Sequence, residues 1–537
     1  MQDNILNKIK EIAAKAIFDD KSIVVPAEDF RSVAEYLKNE AGFDYLHDLI
    51  GVDLDESLGV IYRLFSTGKN QEITLKIFTT DRENPEFFTV SDLWASANLY
   101  EREIYDFFGI KFINHPGLRR LFLRGNWEGY PLRKDYDLSS NKLSMLNQSM
   151  EEMEYTTTIN LTENGVVQSN FQLFGEKEYV INMGPQHPAT HGVLHLRVSL
   201  DGEIIKKIDP NFGYIHRGIE KMVEGYTYPQ ILHLADRLDY LSGTMNRHAV
   251  CLCVEKALGI EVPQRAQFVR TILDELTRIA SHLLGWGSMC MDMGSITAFV
   301  YGMRDREKIM DIFEESGGGR LMCNYSVIGG LSHDIHPNFI QRIKDFIPYM
   351  RNMLKEYHVL FTNNPIASGR MKNIGFLTKE QAISLGVTGP AGRASDWMND
   401  VRILEPYAAY DKIKFKPMMR TKGGTFERYI VRLDEVEESL RMLEQLVAQM
   451  PEGDYCAKVP KVIRLPEGEY FQRVENARGD FGVYIQSKGD KNPYRVKFRS
   501  PCMTLVSALD PITRGEKIAD LVMIGASLDY VIPCIDR

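Results

Sequence analysis

Cysteine is scarce in this sequence, and the few cysteines are poorly placed for a shared site. The chain has seven cysteines in 537 residues, an odd number, and no two of them have the CxxC spacing. They are Cys251, Cys253, Cys290, Cys323, Cys456, Cys502 and Cys534. This excludes a disulfide scaffold and argues against a zinc or iron–sulfur site ligated by this chain alone. A reducing compartment is the simplest interpretation.

Long apolar runs are also missing. No stretch reaches the roughly 18 consecutive apolar residues that a membrane-spanning helix needs. The nearest case, Leu283 to Met303, has Asp292 as its only charge and contains four glycines, so we interpret it as buried core. The N-terminal MQDNILNKIKEIAAKAIFDD lacks the basic start and apolar run of a signal peptide. We therefore expect a soluble chain, or one that is peripheral to a membrane.

An excess of positive charge is absent as well. The formal net charge is −9 and the isoelectric point is about 5.8. A nucleic-acid partner is not expected, because such proteins are usually basic. Hydrophobic residues make up 44% of the chain and charged residues 26%, which is typical of a globular protein and excludes a mostly disordered chain. The length predicts two to four domains.

The common cofactor motifs are not found. The sequence has no GxGxxG after a strand, no GxxxxGK[ST], no HExxH and no GxSxG. The run Gly317-Gly318-Gly319 follows a predicted helix rather than a strand, so it is not expected to bind phosphate. We therefore predict that this chain does not bind a nicotinamide, a flavin or ATP through a common motif.

The sequence pattern divides the chain into three parts. Residues 1–137 mix alternating segments typical of half-buried strands, at Ile61–Phe65 and Ile73–Phe78, with helical patterns at Glu28–Asn39 and Leu93–Phe107. This predicts a small α+β domain. Residues 138–177 are rich in Ser, Asn, Gln and Glu and are interpreted as a linker, in which MLNQSMEEMEY is a candidate helical spacer.

The third part, residues 178–537, is predicted to be mainly helical with strands near its start and end. Val193–Leu200 is expected to be a strand. Apolar residues at helical spacing predict one helix from Pro263 to 283, another at 304–316 and a core helix at 433–450. The expected fold class of the whole chain is therefore α+β.

The most unusual string is NMGPQHPATHG at 182–192. Its glycines and prolines prevent a continuous helix, so His187, His191 and His195 are not expected to share a metal despite their regular spacing. One interpretation is a tight loop with structural histidines. The other is a proton-transfer site, because imidazole titrates near neutral pH.

Asp292 is the second unusual feature, because no other charge lies within about ten residues on either side. It is either a helix cap or exposed turn residue, or a buried carboxylate with a functional partner. Arg217, Arg237 and Tyr240 are predicted to share one helical region. Arginines in such a segment usually form ion pairs, but arginine is also the side chain that stays charged beside a buried redox centre.

Several long motifs in this sequence resemble those of one family. NMGPQHPATHGVLHL, HRGIEK, ADRLDY, MDMGSITAF, ASDWMNDVR and GDFGVYIQSKGDKNPYRVKFRSP resemble the large quinone-site subunit of respiratory complex I, over residues 178–537. EREIYDFFGIKFINHPGLRRLFLRGNWEGYPLRKDY at 101–136 resembles the neighbouring C subunit of the peripheral arm. The chain as a whole resembles a fusion of both subunits of bacterial NADH-quinone oxidoreductase.

This resemblance implies roles for individual residues. His191 is implied to hydrogen-bond one quinone carbonyl, Tyr240 the other, and Asp292 to be the partner of His191. The quinone, ubiquinone or menaquinone, is the implied substrate. Arg217 and Arg237 match arginines near the terminal [4Fe-4S] cluster, which an adjacent subunit ligates, so this chain itself is expected to hold no metal and no flavin.

The resemblance also implies partners and a location. The expected partners are other complex I subunits, namely the subunit with the terminal [4Fe-4S] cluster, the ferredoxin-like iron–sulfur subunit and the membrane-arm subunits. The expected location is the cytoplasmic face of the cell inner membrane, as a peripheral protein. The implied activity is proton-translocating NADH:quinone oxidoreduction, with the NAD site in other chains and the immediate electron donor left open.

The fold implied for the third part is that of the nickel–iron hydrogenase large subunit. Hydrogenases of this fold hold their metal with two CxxC pairs. At the corresponding positions this chain has Asp239 and Ser242, then Val531 and Cys534. A single thiolate disfavours a hydrogenase. A related oxidoreductase, driven by ferredoxin or hydrogenase-like, in which this chain serves as a structural scaffold, stays as the alternative to a quinone-reducing subunit.

The sequence departs from the family pattern at a few positions. In RLMCNYSVIGG, Met322 and Val327 stand where the family usually has a histidine and an arginine. That histidine is associated with pH-dependent tuning of the cluster, so the substitution puts such tuning in question. In the first domain, Tyr105 and Tyr130 replace residues that are commonly Trp and His. The chain ends in DYVIPCIDR rather than the usual glycine-containing ending.

Overall fold

The computed structural model describes residues 2–19, 22–137, 155–162, 165–175 and 178–537. Within these ranges the fold mixes helices and strands, which confirms the expected class. The chain forms two compact units. The first consists of Met1–Ile181, Asn211–Tyr214 and Ile383–Gly386, and the second of Asn182–Pro210, Ile215–Ala382 and Val387–Arg537.

The first unit is built on a five-stranded sheet. In spatial order its strands are Ile17–Phe18, Ile23–Val24, Gln71–Thr79, Leu58–Ser66 and Tyr45–Asp53. Its helices are Gln2–Ile12, Ala27–Asn39 and Ala97–Phe108. A separate parallel pair joins Glu86–Phe88 to Lys111–Ile113. The predicted strands and helices of this part are confirmed, although Leu58–Ser66 is more deeply buried than a half-exposed strand.

A β-hairpin lies within the segment that the sequence suggested as a linker. Tyr155–Thr162 pairs with Gly165–Gln172 in antiparallel register, from Tyr155 opposite Gln172 to Thr162 opposite Gly165. Leu161, Val166 and Val167 are exposed on it. The predicted helical spacer falls on residues 145–155, of which 145–154 lie outside the described residues.

The second unit is mainly helical. The chain enters it within the strand Tyr179–Met183, which forms a three-stranded sheet with His195–Asp201 and Ile204–Asn211. A second three-stranded sheet contains Gly468–Asn476, Gly479–Ser487 and Arg495–Arg499, and a short pair joins Ser326–Val327 to Gly330–Leu331. Its longer helices are Tyr228–Ala235, Gly243–Leu258, Gln264–Asp292, Ile296–Gly317, Phe339–Tyr357, Thr425–Ala448 and Ile518–Leu528.

Shorter helices fill the connections of the second unit. They are Ile219–Met222, Pro365–Met371, Gly389–Ala394, Val401–Leu404, Pro501–Ser507, Leu509–Thr513 and Ile532–Asp536. The helix Lys379–Leu385 has its first residues in the second unit and its last in the first. A π-helical turn, His358–Thr362, follows the helix Phe339–Tyr357. The π-turn packs Phe361 against Tyr429 and Trp286, so it belongs to the core of the helical region.

The 29-residue helix Gln264–Asp292 is the central element of the second unit. As predicted, Pro263 precedes it and its apolar residues are buried. The helices Ile296–Gly317 and Thr425–Ala448 pack against it. The end of Ile296–Gly317 confirms the predicted glycine terminator, because Gly318 is its C-cap in the left-handed conformation.

The apolar segment 283–303 was interpreted as buried core, and this holds for only part of it. The helix ends at Asp292 and a new one begins at Ile296, so the segment turns back on itself. Ile296 is 66% exposed and Val300 is 52% exposed. Among the described residues, no helix combines the length and the hydropathy needed to cross a membrane.

Candidate functional site

The loop 182–192 is a tight turn that ends on His191. A short 3-10 helix, Pro188–Thr190, forms its centre, and the hydroxyl of Thr190 donates to the carbonyl oxygens of His187 and Gly192 at 2.8 and 2.9 Å. His191 follows with a φ of 51°, in the left-handed region. Few residues other than glycine adopt this region, and histidine is among the more tolerant ones. The loop therefore fixes His191 in one backbone conformation.

Gly184 explains how the loop returns on itself. It has a φ of 89°, and a Cβ at this position would lie 1.9 Å from the carbonyl oxygen of Leu194. No side chain fits in that space. Any substitution of Gly184 is therefore expected to displace the chain that leads to His191.

Asp292 meets His191 because the long helix ends there. Met293 caps the helix and Gly294 follows with a φ of 83°, so the carboxylate lies at a helix terminus rather than within a helix. The Nε2 atom of His191 lies 2.6 Å from Oδ2 of Asp292. The two residues are 101 positions apart in the sequence. The structure thus brings together the loop histidine and the isolated carboxylate.

The surroundings of this pair favour the protonated imidazole. Burial lowers the pKa of His191, but the hydrogen bond and the charge of Asp292, with a smaller contribution from Asp529, outweigh it and raise the pKa above 6.5. The side chain of His191 is 23% exposed and that of Asp292 is 9% exposed. The pair is therefore partly shielded yet still accessible, and it can hold or release a proton near neutral pH.

Tyr240 lies in the turn between the helices Tyr228–Ala235 and Gly243–Leu258. It is 38% exposed. Among the described residues, no hydrogen bond joins it to His191 or Asp292. Burial raises the pKa of its phenol, the charge of Arg478 opposes this, and Asp239 and Asp529 add to it. Because Asp529 affects the pKa of both Tyr240 and His191, the two side chains share one electrostatic neighbourhood.

Arg478 is a residue of this neighbourhood that the sequence did not single out. It lies between the strands Gly468–Asn476 and Gly479–Ser487 and is 1% exposed. Its Nη1 donates to Oδ2 of Asp239 at 3.0 Å, and to the hydroxyls of Ser242 at 3.2 Å and Ser281 at 3.0 Å. No local pattern marks an arginine in a strand-to-strand turn as buried, so the signal was not available in the sequence.

Comparison with known proteins identifies the family of this chain. A family model described as "Respiratory-chain NADH dehydrogenase, 49 Kd subunit" matches residues 292–537, and one described as "Respiratory-chain NADH dehydrogenase, 30 Kd subunit" matches residues 23–142. The NADH-quinone oxidoreductase C/D subunit of Phocaeicola vulgatus is 54% identical over 96% of this chain and 99% of its own length. The chain belongs to the family of NADH-quinone oxidoreductase C/D subunits. It is thus one subunit of a multisubunit NADH:quinone oxidoreductase.

Other relatives show how the C/D chain is composed. The C/D subunit of Bacteroides thetaiotaomicron is 54% identical over 93% of this chain and 97% of its own length. The NADH-quinone oxidoreductase D subunit of Desulforamulus reducens is 43% identical over 67% of this chain and 98% of its own length. About two thirds of the C/D chain is therefore equivalent to a separate D subunit.

Arg217 and Arg237 do not lie in a common helix, which corrects the sequence prediction. Arg217 lies in the loop before the helix Ile219–Met222, and Arg237 lies in the turn after Tyr228–Ala235. Both are exposed, and neither forms a salt bridge within the described part of this C/D chain. Nη1 of Arg237 donates to the carbonyl oxygen of His233 at 2.9 Å. The ion-pair interpretation is therefore not supported for either arginine.

The other two histidines of the motif are separate from the pair. His187 is exposed, and its Nδ1 accepts from the backbone N–H of Ala189 at 3.2 Å. His195 is close to Asn182, with 3.0 Å between Nε2 and Oδ1, and its pKa is lowered mainly by burial. Within the described ranges, no group of three or more His, Cys, Asp or Glu side chains is arranged to hold a metal ion.

Met322 and Val327 stand where the family usually has other residues; Met322 lies beside the start of the helix Gly243–Leu258, and Val327 lies in the strand Ser326–Val327. A Cβ on Gly243 would lie 3.3 Å from Sδ of Met322. The carbonyl oxygen of Val327 accepts from Nη2 of Arg270 at 2.5 Å. In the first unit, the rings of Tyr105 and Tyr130 meet edge to face at 6.4 Å. The side chains of Met322, Tyr105 and Tyr130 therefore pack against neighbouring groups.

Proposed function

We propose that this chain forms the quinone-reduction site of a proton-translocating NADH-quinone oxidoreductase. The observation that supports this most is the contact of 2.6 Å between His191 and Asp292, in a partly accessible position with the pKa of the histidine raised. The Tyr240 phenol shares its electrostatic neighbourhood. Reduction of a quinone to a quinol takes two electrons and two protons, and this neighbourhood holds two side chains able to supply the protons.

In this proposal His191 and Tyr240 each hydrogen-bond one carbonyl oxygen of the quinone. The [4Fe-4S] cluster of the adjacent subunit supplies the electrons. As the carbonyl oxygens gain negative charge, Nδ1 of His191, the ring nitrogen not engaged by Asp292, and the hydroxyl of Tyr240 give up their protons to them. Asp292 keeps His191 protonated beforehand, because its negative charge stabilises the imidazolium.

The change in charge at the pair offers a way to couple reduction to proton translocation. When His191 loses its proton, Asp292 is left with a weaker partner at the end of the long helix Gln264–Asp292. A change of this kind can bias a two-state element elsewhere in an assembly. We propose that the membrane-arm subunits respond to it.

The remaining assignments belong to the same proposal. The exposed Arg217 and Arg237 are assigned to the surface that faces the partner subunit with the terminal cluster. The ferredoxin-like iron–sulfur subunit is a further partner, and the chain is peripheral on the cytoplasmic side of the inner membrane. Residues 1–137 act as the C-like domain, 138–177 as the connection and 178–537 as the D-like domain, with the fold of the nickel–iron hydrogenase large subunit.

Replacement of Asp292 by Asn tests the proposal. The substitution keeps the size of the side chain and removes its charge, so quinone reduction by the purified complex is expected to fall roughly tenfold or more. Electron transfer to a water-soluble artificial acceptor, which does not use the quinone site, is expected to stay unchanged. Asp345→Asn, at an exposed aspartate that accepts from Gln341, is the matched control. Full quinone reduction and full proton translocation by the Asp292 variant would contradict the proposal.

A quinone analogue that crosslinks on illumination provides a second test. It is expected to label the loop 182–192 or Tyr240. Labelling confined to other parts of the complex would favour a purely structural role for this chain, since a scaffold has no need of His191, Asp292 and Tyr240 together.

A further inference from the structure

We propose that Arg478 is a positioning residue for quinone reduction, because its guanidinium ties the turn that carries Tyr240 to the helix that carries Asp292. This inference rests on the proposed function and deepens it. Asp239 and Ser242, which accept from Nη1 of Arg478, flank Tyr240 on either side in the turn. Ser281, the third acceptor of the same nitrogen, lies three helical turns before Asp292. The Arg478 side chain therefore connects the turn that carries Tyr240 to the helix that carries Asp292.

A second carboxylate extends this connection to His191. Nη2 of Arg478 lies 3.5 Å from Oδ1 of Asp529, which caps the helix Ile518–Leu528 with a φ of 58°. The same oxygen lies close to the long helix at Gly285, since a Cβ on this glycine would be 3.1 Å from it. The charge of Asp529 contributes to the raised pKa of His191. Arg478 thus holds in place a carboxylate that acts on the histidine.

Burying Arg478 has a cost that its contacts offset only in part. A buried charge is expensive to desolvate even when it is paired, and an apolar side chain of similar size often stabilises a core better. Its Nε has no hydrogen-bond partner among the described residues, so part of that cost is not offset. What distinguishes Arg478 from the equally buried Arg270 is its set of partners, Asp239, Ser242 and Ser281, beside Tyr240 and on the helix of Asp292.

The effect of Arg478 on Tyr240 is both geometric and electrostatic. Its bonds to Asp239 and Ser242 restrict the backbone of the turn, so the phenol is presented in one position. Its charge opposes the influence of burial, Asp239 and Asp529 on the phenol's pKa. The pKa of the phenol stays raised overall, but without Arg478 it would be raised further, so the arginine favours transfer of the Tyr240 proton to a reduced quinone oxygen.

The test is a double-mutant cycle on the assembled complex. Arg478→Lys keeps the charge but loses the planar fork, and Arg478→Met loses both. We expect turnover with quinone to fall roughly tenfold in the Lys variant and further in the Met variant, with KM for quinone changed less than about twofold. In a Tyr240→Phe background the same two substitutions are expected to lower turnover by a clearly smaller factor, because only the part of the effect that passes through Asp529 and His191 remains.

Arg270→Lys is the matched control. Arg270 is also 1% exposed and forms a bidentate ion pair with Glu255. Its Nη1 donates to Oε2 at 3.0 Å and its Nη2 to Oε1 at 2.7 Å. Its replacement is expected to lower the amount of assembled complex without changing turnover per complex. If the Arg478 variants behave in the same way, the residue is only structural and the inference is wrong.

Two other results would also overturn the inference. An equal loss with and without the Tyr240→Phe substitution would show that Arg478 does not act through the phenol. Full turnover by Tyr240→Phe alone would instead contradict the proton-donor role of Tyr240 in the proposed function, and the inference would fall with it. The cycle therefore separates a failure of the inference from a failure of the proposed function.

Discussion

Two histidine–carboxylate pairs in the second unit have similar geometry and opposite electrostatics. His191 lies 2.6 Å from Asp292, and His282 lies 2.8 Å from Glu435. The pKa of His191 is raised, whereas that of His282 is lowered. A short contact between an imidazole and a carboxylate is therefore not sufficient evidence of a proton-transfer site.

The difference comes from burial and from neighbouring charges. His282 is fully buried, and burial is the largest influence that lowers its pKa. Arg432 and Arg278 add to this, and Glu435 already accepts from Arg393. The His191 pair keeps partial access to solvent, and the named charges around the histidine are negative. Solvent exposure and neighbouring charges, rather than the hydrogen bond itself, distinguish a histidine that can donate a proton from one with a structural role.

The largest expected effect concerns turnover. His191→Gln is expected to lower quinone reduction per assembled complex roughly a hundredfold, because a general acid commonly contributes at least that much. His282→Gln is expected to leave turnover per complex unchanged. The measurement is quinone reduction normalised to assembled complex. Equal losses in the two variants would remove the distinction between the pairs.

The next effect concerns stability, and here the His282 substitution is expected to cause the larger loss. His282→Ala is expected to lower the free energy of unfolding by about 2–4 kcal/mol, because it leaves a cavity and removes a buried hydrogen bond. His191→Ala is expected to lower it by less than about 1 kcal/mol, since that side chain is partly exposed. Urea denaturation of the full-length chain measures both. A larger loss for His191→Ala would contradict the comparison.

The pH dependence gives a smaller, directional test. With its pKa raised above 6.5, His191 stays protonated up to that raised value, so turnover is expected to fall as pH rises through it. The stability contributed by the pair follows the same sign, being complete below pH 6.5 and lost as pH rises through the raised pKa. Asp292→Asn removes the main raising influence, so the fall in residual turnover is expected to move to lower pH. An unchanged profile in the variant would contradict the role of Asp292.

The smallest expected effect belongs to His195, four residues after His191. Its pKa is lowered mainly by burial, and it contacts Asn182 rather than Asp292. His195→Gln is expected to change turnover less than about twofold. A loss comparable to that of His191→Gln would mean that the motif acts as a whole rather than through one histidine.

The sequence predicted the regular elements better than the turns. Pro263 and the apolar spacing after it indicated the long helix, and Gly318 indicated the end of the next one, because both signals are local. The hairpin Tyr155–Thr162 with Gly165–Gln172 was missed, since its strands are polar and sparse in core residues. The Asn164-Gly165 dipeptide, a favoured hairpin turn, was the available signal.

The site was predicted from the family resemblance rather than from spacing. Nothing local connects His191 to a carboxylate 101 residues away, and spacing alone favoured a cap or turn role for Asp292. Arg478 was beyond either approach, because its partners come from a turn and two helices that only the fold brings together. Long-range packing, not propensity, determines that part of the site.

The two units belong to one polypeptide, and this has a consequence for biogenesis. Subunits made separately must be synthesised in matched amounts and then meet by diffusion. A single chain supplies both in equal numbers with every round of translation. Neither the C-like nor the D-like part can therefore be made in excess of the other and left unassembled.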